Sequence, residues 1–173
     1  RGLLEAQVGL RESADFGYSQ FDALVKAYPK CALTWMGRSQ SRLRLNHVDG
    51  ATNDLAQAAK LDPNNTDIQA AYGLVLARTG DSERAAHWLA KANVSRPNDI
   101  SVVVAYGQAQ VASGQLDQGI ATLQNAYVRF SHEPRVALAY AEILANKGEL
   151  LAAYEVIRES FQRRPDSRLL VSL

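Results

Sequence analysis

Four of the five prolines keep one phase. Pro29, Pro63 and Pro97 stand 34 residues apart, and Pro165 follows Pro97 by 68, twice that spacing; Ser131 fills the skipped slot and Pro134 lies out of phase. Proline ends a helix because it has no amide hydrogen and its ring crowds the preceding turn. A breaker that returns every 34 residues cuts the chain into equal blocks, which is the mark of a helical-repeat array.

The period predicts where each block bends. In the block that begins at Thr66 the fifteenth position is Gly80; Gly114 and Gly148 follow at one and two periods, and Asn46 precedes by one. Glycine and asparagine adopt positive φ at the least cost and close helices for that reason. Each block therefore reads as a helix, a tight turn, a second helix and a proline-bearing loop. The second helices carry a small-large-small stripe: Ala51, Leu55, Ala58; Ala85, Leu89, Ala92; Gly119, Leu123, Ala126; Ala153, Ile157, Ser160. Small residues let neighbouring helices approach while the large one fills the gap, so the stripe reads as packing. In the first helices Tyr72-Gly73, Tyr106-Gly107 and Tyr140-Ala141 recur in the same way, again as core.

These residues closely resemble the tetratricopeptide repeat family. The matches are Trp35 at position four, Gly73 and Gly107 at eight, Gly80-Asp81 at fifteen and sixteen, the alanines of the stripe, and the loop "LDPNN" from Leu61 to Asn65. The resemblance implies an all-α fold, a right-handed α-solenoid of stacked antiparallel helix pairs. It implies a single domain over 1–173, with a partial repeat at 1–31, full repeats at 32–65, 66–99, 100–133 and 134–167, and a further helix starting at 168–173.

Stacked pairs of this family enclose a concave groove lined mainly by first helices. Carrying its groove positions onto this chain gives Met36, Gln40, Leu43 and Arg44, then Ala70, Leu74 and Arg78, then Val104, Gln108 and Val111, then Leu138 and Glu142. The row is largely apolar with an occasional amide or charge, and the residue beside it is always small: Gly37, Ala71, Ala105, Ala139. An extended peptide or an amphipathic helix from a protein partner is the ligand such a groove implies. Relatives that hold chaperone carboxylate tails use Lys, Asn and Arg where this chain has Met36, Gln40, Ala71, Ser101 and Ala105, none of which neutralises a carboxylate.

Other functional classes find little support. Formal net charge is +1, so no bulk field draws the chain to nucleic acid, and no apolar run is long enough for membrane insertion. His47, His87 and His132 lie far apart in repeat phase, Cys31 stands alone, and each glycine already has a capping or packing role. No catalytic activity, metal or cofactor is expected. The compartment stays open between the bacterial periplasm or envelope and the cytoplasm.

Two features break the family pattern. Arg38 and Arg42 occupy positions normally apolar, where unpaired guanidinium groups would be prohibitively costly. Either the helix is displaced, or the pair meets acidic neighbours, or it reaches outward and with Arg44 and His47 forms a basic patch for an acidic partner. Arg158, Arg163, Arg164 and Arg168 form a second such set. The ends, beginning inside a helix at Arg1 and finishing on the apolar "RLLVSL", raise a rival role as a module that self-assembles end to end, a homo-oligomer joined through terminal helices. Fourteen arginines against five lysines point to a bacterial member, and bacterial relatives often serve envelope assembly such as pilus biogenesis or secretion.

Overall fold

The structure, a computed structural model, describes residues 2–162, with side chains from residue 15 onward. The described residues form nine helices: α1 (Gly2–Ala27), α2 (Ala32–Arg44), α3 (Val48–Leu61), α4 (Thr66–Thr79), α5 (Ser82–Ser95), α6 (Ile100–Ala112), α7 (Leu116–Arg129), α8 (Pro134–Asn146) and α9 (Leu150–Gln162). Among the described residues the fold is all-α, with no strand.

Contacts divide the chain into two compact units, Arg1–Asp81 and Ser82–Leu173. In the first, α2 packs on α1 and α3, and α3 on α4. In the second, α6 packs on α5 and α7, while α8 rests on α6, α7 and α9.

Turn chemistry accounts for the hairpins. Asn46 is the one non-glycine residue with positive φ among those described, at 60°, and the three glycines with positive φ are Gly80, Gly114 and Gly148, at 83°, 87° and 90°. The residue after each donates its amide back across the helix end: His47 to Arg42 O at 2.8 Å, Asp81 to Leu76 O at 3.1 Å, Gln115 to Gln110 O at 2.8 Å and Glu149 to Leu144 O at 2.9 Å. Those bonds satisfy carbonyls that the helix leaves open, in the geometry that a left-handed closing residue permits. An added methyl at Gly114 would meet nothing within 4 Å, so only the backbone objects to a side chain there. Gly114→Ala should therefore lower stability by about 1 kcal/mol, read from the urea midpoint, through the left-handed penalty alone.

The other helix ends are prepared by polar caps and tethered loops. Asn65 Oδ1 accepts from the amides of Asp67 and Ile68 at 3.1 and 3.3 Å. One period later Asp99 Oδ1 accepts from Ser101 and Val102 at 3.0 and 3.3 Å. The proline loops are tied down by the fourth residue of the block: Trp35 Nε1 donates to Pro29 O at 2.9 Å and Gln69 Nε2 to Pro63 O at 2.8 Å. Val103 stands at that position in the next block and has no donor, so Arg129 reaches over to Pro97 O at 2.9 Å instead.

Packing follows the stripes. Ala51, Leu55 and Ala58 are fully buried, as are Ala85, Leu89 and Ala92, with Leu123 and Ala126 at 0% and 1% exposure. In the second unit one core runs from Val103 and Val104 through Leu123, Tyr127 and Val136 to Ala153 and Val156. Tyr72 and Tyr140 are buried within their units, whereas Tyr106 is half-buried.

Candidate partner-binding surface

The first-helix positions separate into two groups. Gln40, Arg44 and Arg78 in the first unit and Gln108, Leu138 and Glu142 in the second are exposed. Met36, Leu43 and Leu74, and likewise Val111, are half-buried. Ala70 and Val104, at 4% and 8% exposure, are core residues, which corrects the expectation that they face a ligand. Half-buried Met36 and exposed Leu138 fill the same fifth position of their blocks, so the burial of Ala70 and Val104 comes from the neighbours that cover them and not from the position itself. On α2 the spacing of Met36, Gln40, Leu43 and Arg44 places them on one helical face. Leu74 and Arg78 share a face of α4 in the same way.

Arg38 and Arg42 do not form a basic patch. Arg38 grips Asp54 with two bonds, Nε to Oδ2 at 2.9 Å and Nη2 to Oδ1 at 2.7 Å, and donates from Nη1 to Asp22 Oδ1 at 2.7 Å. Its plane also lies 4.8 Å from the Trp35 ring centre. Arg42 Nη1 reaches Asp54 Oδ1 at 2.8 Å and donates to Gly50 O at 2.8 Å, and its guanidinium sits 5.5 Å from the Tyr18 ring. Lys26 pairs with Asp22 at 2.8 Å. A four-membered chain of alternating charge, Asp22–Arg38–Asp54–Arg42, thus joins α1, α2 and α3.

Burial and pairing explain the electrostatics of this chain. The Asp54 side chain is only 2% exposed and those of Arg38 and Arg42 are 12% and 20%. Bonds from Asp54 first, and from Asp22, outweigh the burial cost and hold Arg38 further above its already high value. Asp22 is held below the usual carboxylate range by Lys26 first and then Arg38. The acidic partners are the residues that pattern reading missed. The available signal was Asp54 itself, a carboxylate set beside Leu55 among buried alanines and one turn past Ala51.

The remaining basic residues are dispersed. Arg44 and His47 are exposed. In the other set Arg158 pairs with Glu155 one turn away and lies 6.0 Å from the Tyr154 ring, while Arg163, Arg164 and Arg168 lie outside the described residues. Among the described residues no helix is long and apolar enough to cross a membrane, and no three His, Cys, Asp or Glu gather as a metal site.

Comparison with known proteins rests on one family model and on structure. No curated protein matches the chain in sequence. Among solved structures, MamA from Desulfovibrio magneticus RS-1 (residue 41 to its end) is 16% identical, aligns over 94% of this chain and 97% of its own, and superposes with a TM-score of 0.80. A MamA RS-1 double mutant gives 18% identity, 88% and 85% coverage and a TM-score of 0.80. MamA of AMB-1 gives 20% identity, 91% and 98% coverage and a TM-score of 0.74. At such identities the likeness is one of fold. The model described as Tetratricopeptide repeat matches residues 22–166 of this chain. On that match the chain belongs to the tetratricopeptide repeat family and is, with it, a protein-interaction scaffold.

Proposed function

We propose that the chain binds an extended peptide or an amphipathic helix of a protein partner along its first-helix rows. The observation that carries this reading is the face of α2: half-buried Met36 and Leu43 beside exposed Gln40 and Arg44, preceded by Leu33 at 54% exposure. Apolar side chains that stay partly wet, bordered by an amide and a guanidinium, suit a ligand with an oily stripe and a polar edge. On α4, Leu74 and Arg78 repeat the combination. Gln108 and Glu142 supply polar edges in the second unit. The biological setting that fits the arginine-rich composition is bacterial envelope assembly, such as pilus biogenesis or secretion.

The test is affinity capture of partners by the intact protein, compared with Leu43→Glu and Leu74→Glu variants of equal helicity by circular dichroism. A buried carboxylate in place of a contacting leucine should weaken recovery of a specific partner at least about tenfold, the scale of losing one strong interface contact. Equal recovery by both variants overturns the reading.

A further inference from the structure

Two charges in the first unit are left unmet. Among the described residues, seven of nine arginine side chains meet a partner within the chain, from Arg38 and Arg42 on Asp54 to Arg158 on Glu155. Arg44 and Arg78 meet none. They stand 34 residues apart, at the same position of successive first helices, and both are exposed. Arg42 lies only two residues before Arg44, but two residues turn a helix by about 200°. Arg42 therefore reaches Asp54 while Arg44 stands on the other side of α2 with Gln40 and Leu43. Arg78 has Leu74 one turn before it on α4.

Helix closure does not account for the pair. A cation in the last turn is favoured by the helix dipole, and both arginines lie in last turns. Yet α6 and α8 also close through left-handed residues, Gly114 and Gly148, and neither has a basic residue in its last turn. At the position of Arg44 and Arg78 they carry Ala112 and Asn146.

Given the partner reading above, on which this rests, we propose that the segment bound along the first unit's rows is acidic. It carries two aspartate or glutamate side chains, one for Arg44 and one for Arg78, beside the apolar residues that meet Leu43 and Leu74. A guanidinium fork matches a carboxylate in shape and charge, and an adjoining leucine keeps water from the contact. A chain end supplies a single terminal carboxylate, whereas two arginines on separate helices call for two, which side chains provide. A phosphate is held best by donors that converge on it, and these stand apart on α2 and α4.

A displayed library of random peptides would be selected on the intact protein, on Leu43→Glu with Leu74→Glu, and on Arg44→Glu with Arg78→Glu. Peptides that bind the parent and not the leucine variant should be enriched in paired Asp and Glu. Selection on the arginine variant should turn to Lys and Arg in their place. In fluorescence anisotropy, the tightest parent peptide should bind Arg44→Gln with Arg78→Gln about tenfold more weakly, a deficit that shrinks in high salt as exposed ion pairs are screened. Since α6 and α8 close without an arginine at this position, the glutamine variant should keep the parent's helicity. Leucine-dependent peptides with no excess of acid, or bound equally by the glutamine variant, overturn the acidic assignment and leave the partner reading standing. Binding that is lost when the peptide's C-terminus is amidated also overturns it, because the acid recognised would then be the chain end. Absence of any leucine-dependent peptide overturns both.

Discussion

Asp54→Ala should destabilise the first unit by about 3 kcal/mol, the lower end of what removing one partner of a buried ion pair costs. The reason is the load that Asp54 carries. One carboxylate accepts both bonds of the Arg38 fork and a further bond from Arg42, while its own side chain is 2% exposed. Without it Arg38 keeps only Asp22 and the Trp35 face, and Arg42 keeps the Gly50 carbonyl and the Tyr18 ring that it lies over. At 12% and 20% exposure these guanidinium groups gain partial relief from water, which places the effect below the upper end of the range. Urea unfolding followed by helicity measures it. Asp54→Asn should cost less, since an amide oxygen still accepts, and replacing Arg38, Arg42 and Asp54 together by apolar residues of similar volume should recover most of the loss. A single Asp54→Ala variant as stable as the parent would mean that the arginines reach solvent freely and that the charged chain is a surface feature.

The second large effect lies in the other unit, where α6 and α7 touch. Leu123 is fully buried and sits over Gly107: a methyl on Gly107 would lie 2.6 Å from Leu123 Cγ. Leu123→Ala should cost about 2–5 kcal/mol by opening a cavity, and Gly107→Ala about 1–3 kcal/mol by overfilling the same space. Combined, they should cost less than their sum, because the methyl of one enters the gap left by the other; a double-mutant cycle in urea reads the coupling directly. Additive losses would show that Leu123 does not rest on Gly107. Gly119 is tighter still, with Gly107 O at 2.7 Å from an added methyl, and there the obstacle is backbone that has no rotamer to change.

Much of this architecture was legible because 34-residue spacing repeats its physics. A residue that must reach positive φ is recognisable by type, so Asn46, Gly80, Gly114 and Gly148 announced the turns before any geometry was known. Stripes such as Ala85, Leu89, Ala92 announced the buried face. Neither device could place Arg38 and Arg42, since their partners lie on other helices and the periodic pattern describes each helix singly. The pairing has a rule of its own. The block positions held by Arg42 and Asp54 are held by Gln110 and Thr122 two blocks on, joined by a 2.7 Å bond from the Thr122 hydroxyl to Gln110 Oε1. In the last block the same positions hold Leu144 and Val156, both in the apolar core. Charge meets charge, amide meets hydroxyl, and oil meets oil. The binding row was harder to read, because position alone did not tell that Val104 and Ala70 would be covered by their own neighbours while Leu138 would not.

The charged chain through α1, α2 and α3 also limits how freely this protein's blocks may be rearranged. Uniform repeats are interchangeable modules, and duplication or shuffling by recombination leaves every junction satisfied. The 32–65 block is not such a module: its Arg38 needs Asp22 from the helix before it. Transplanted elsewhere in the array it would meet a neighbour without that carboxylate, so its address in the chain is written into its own chemistry.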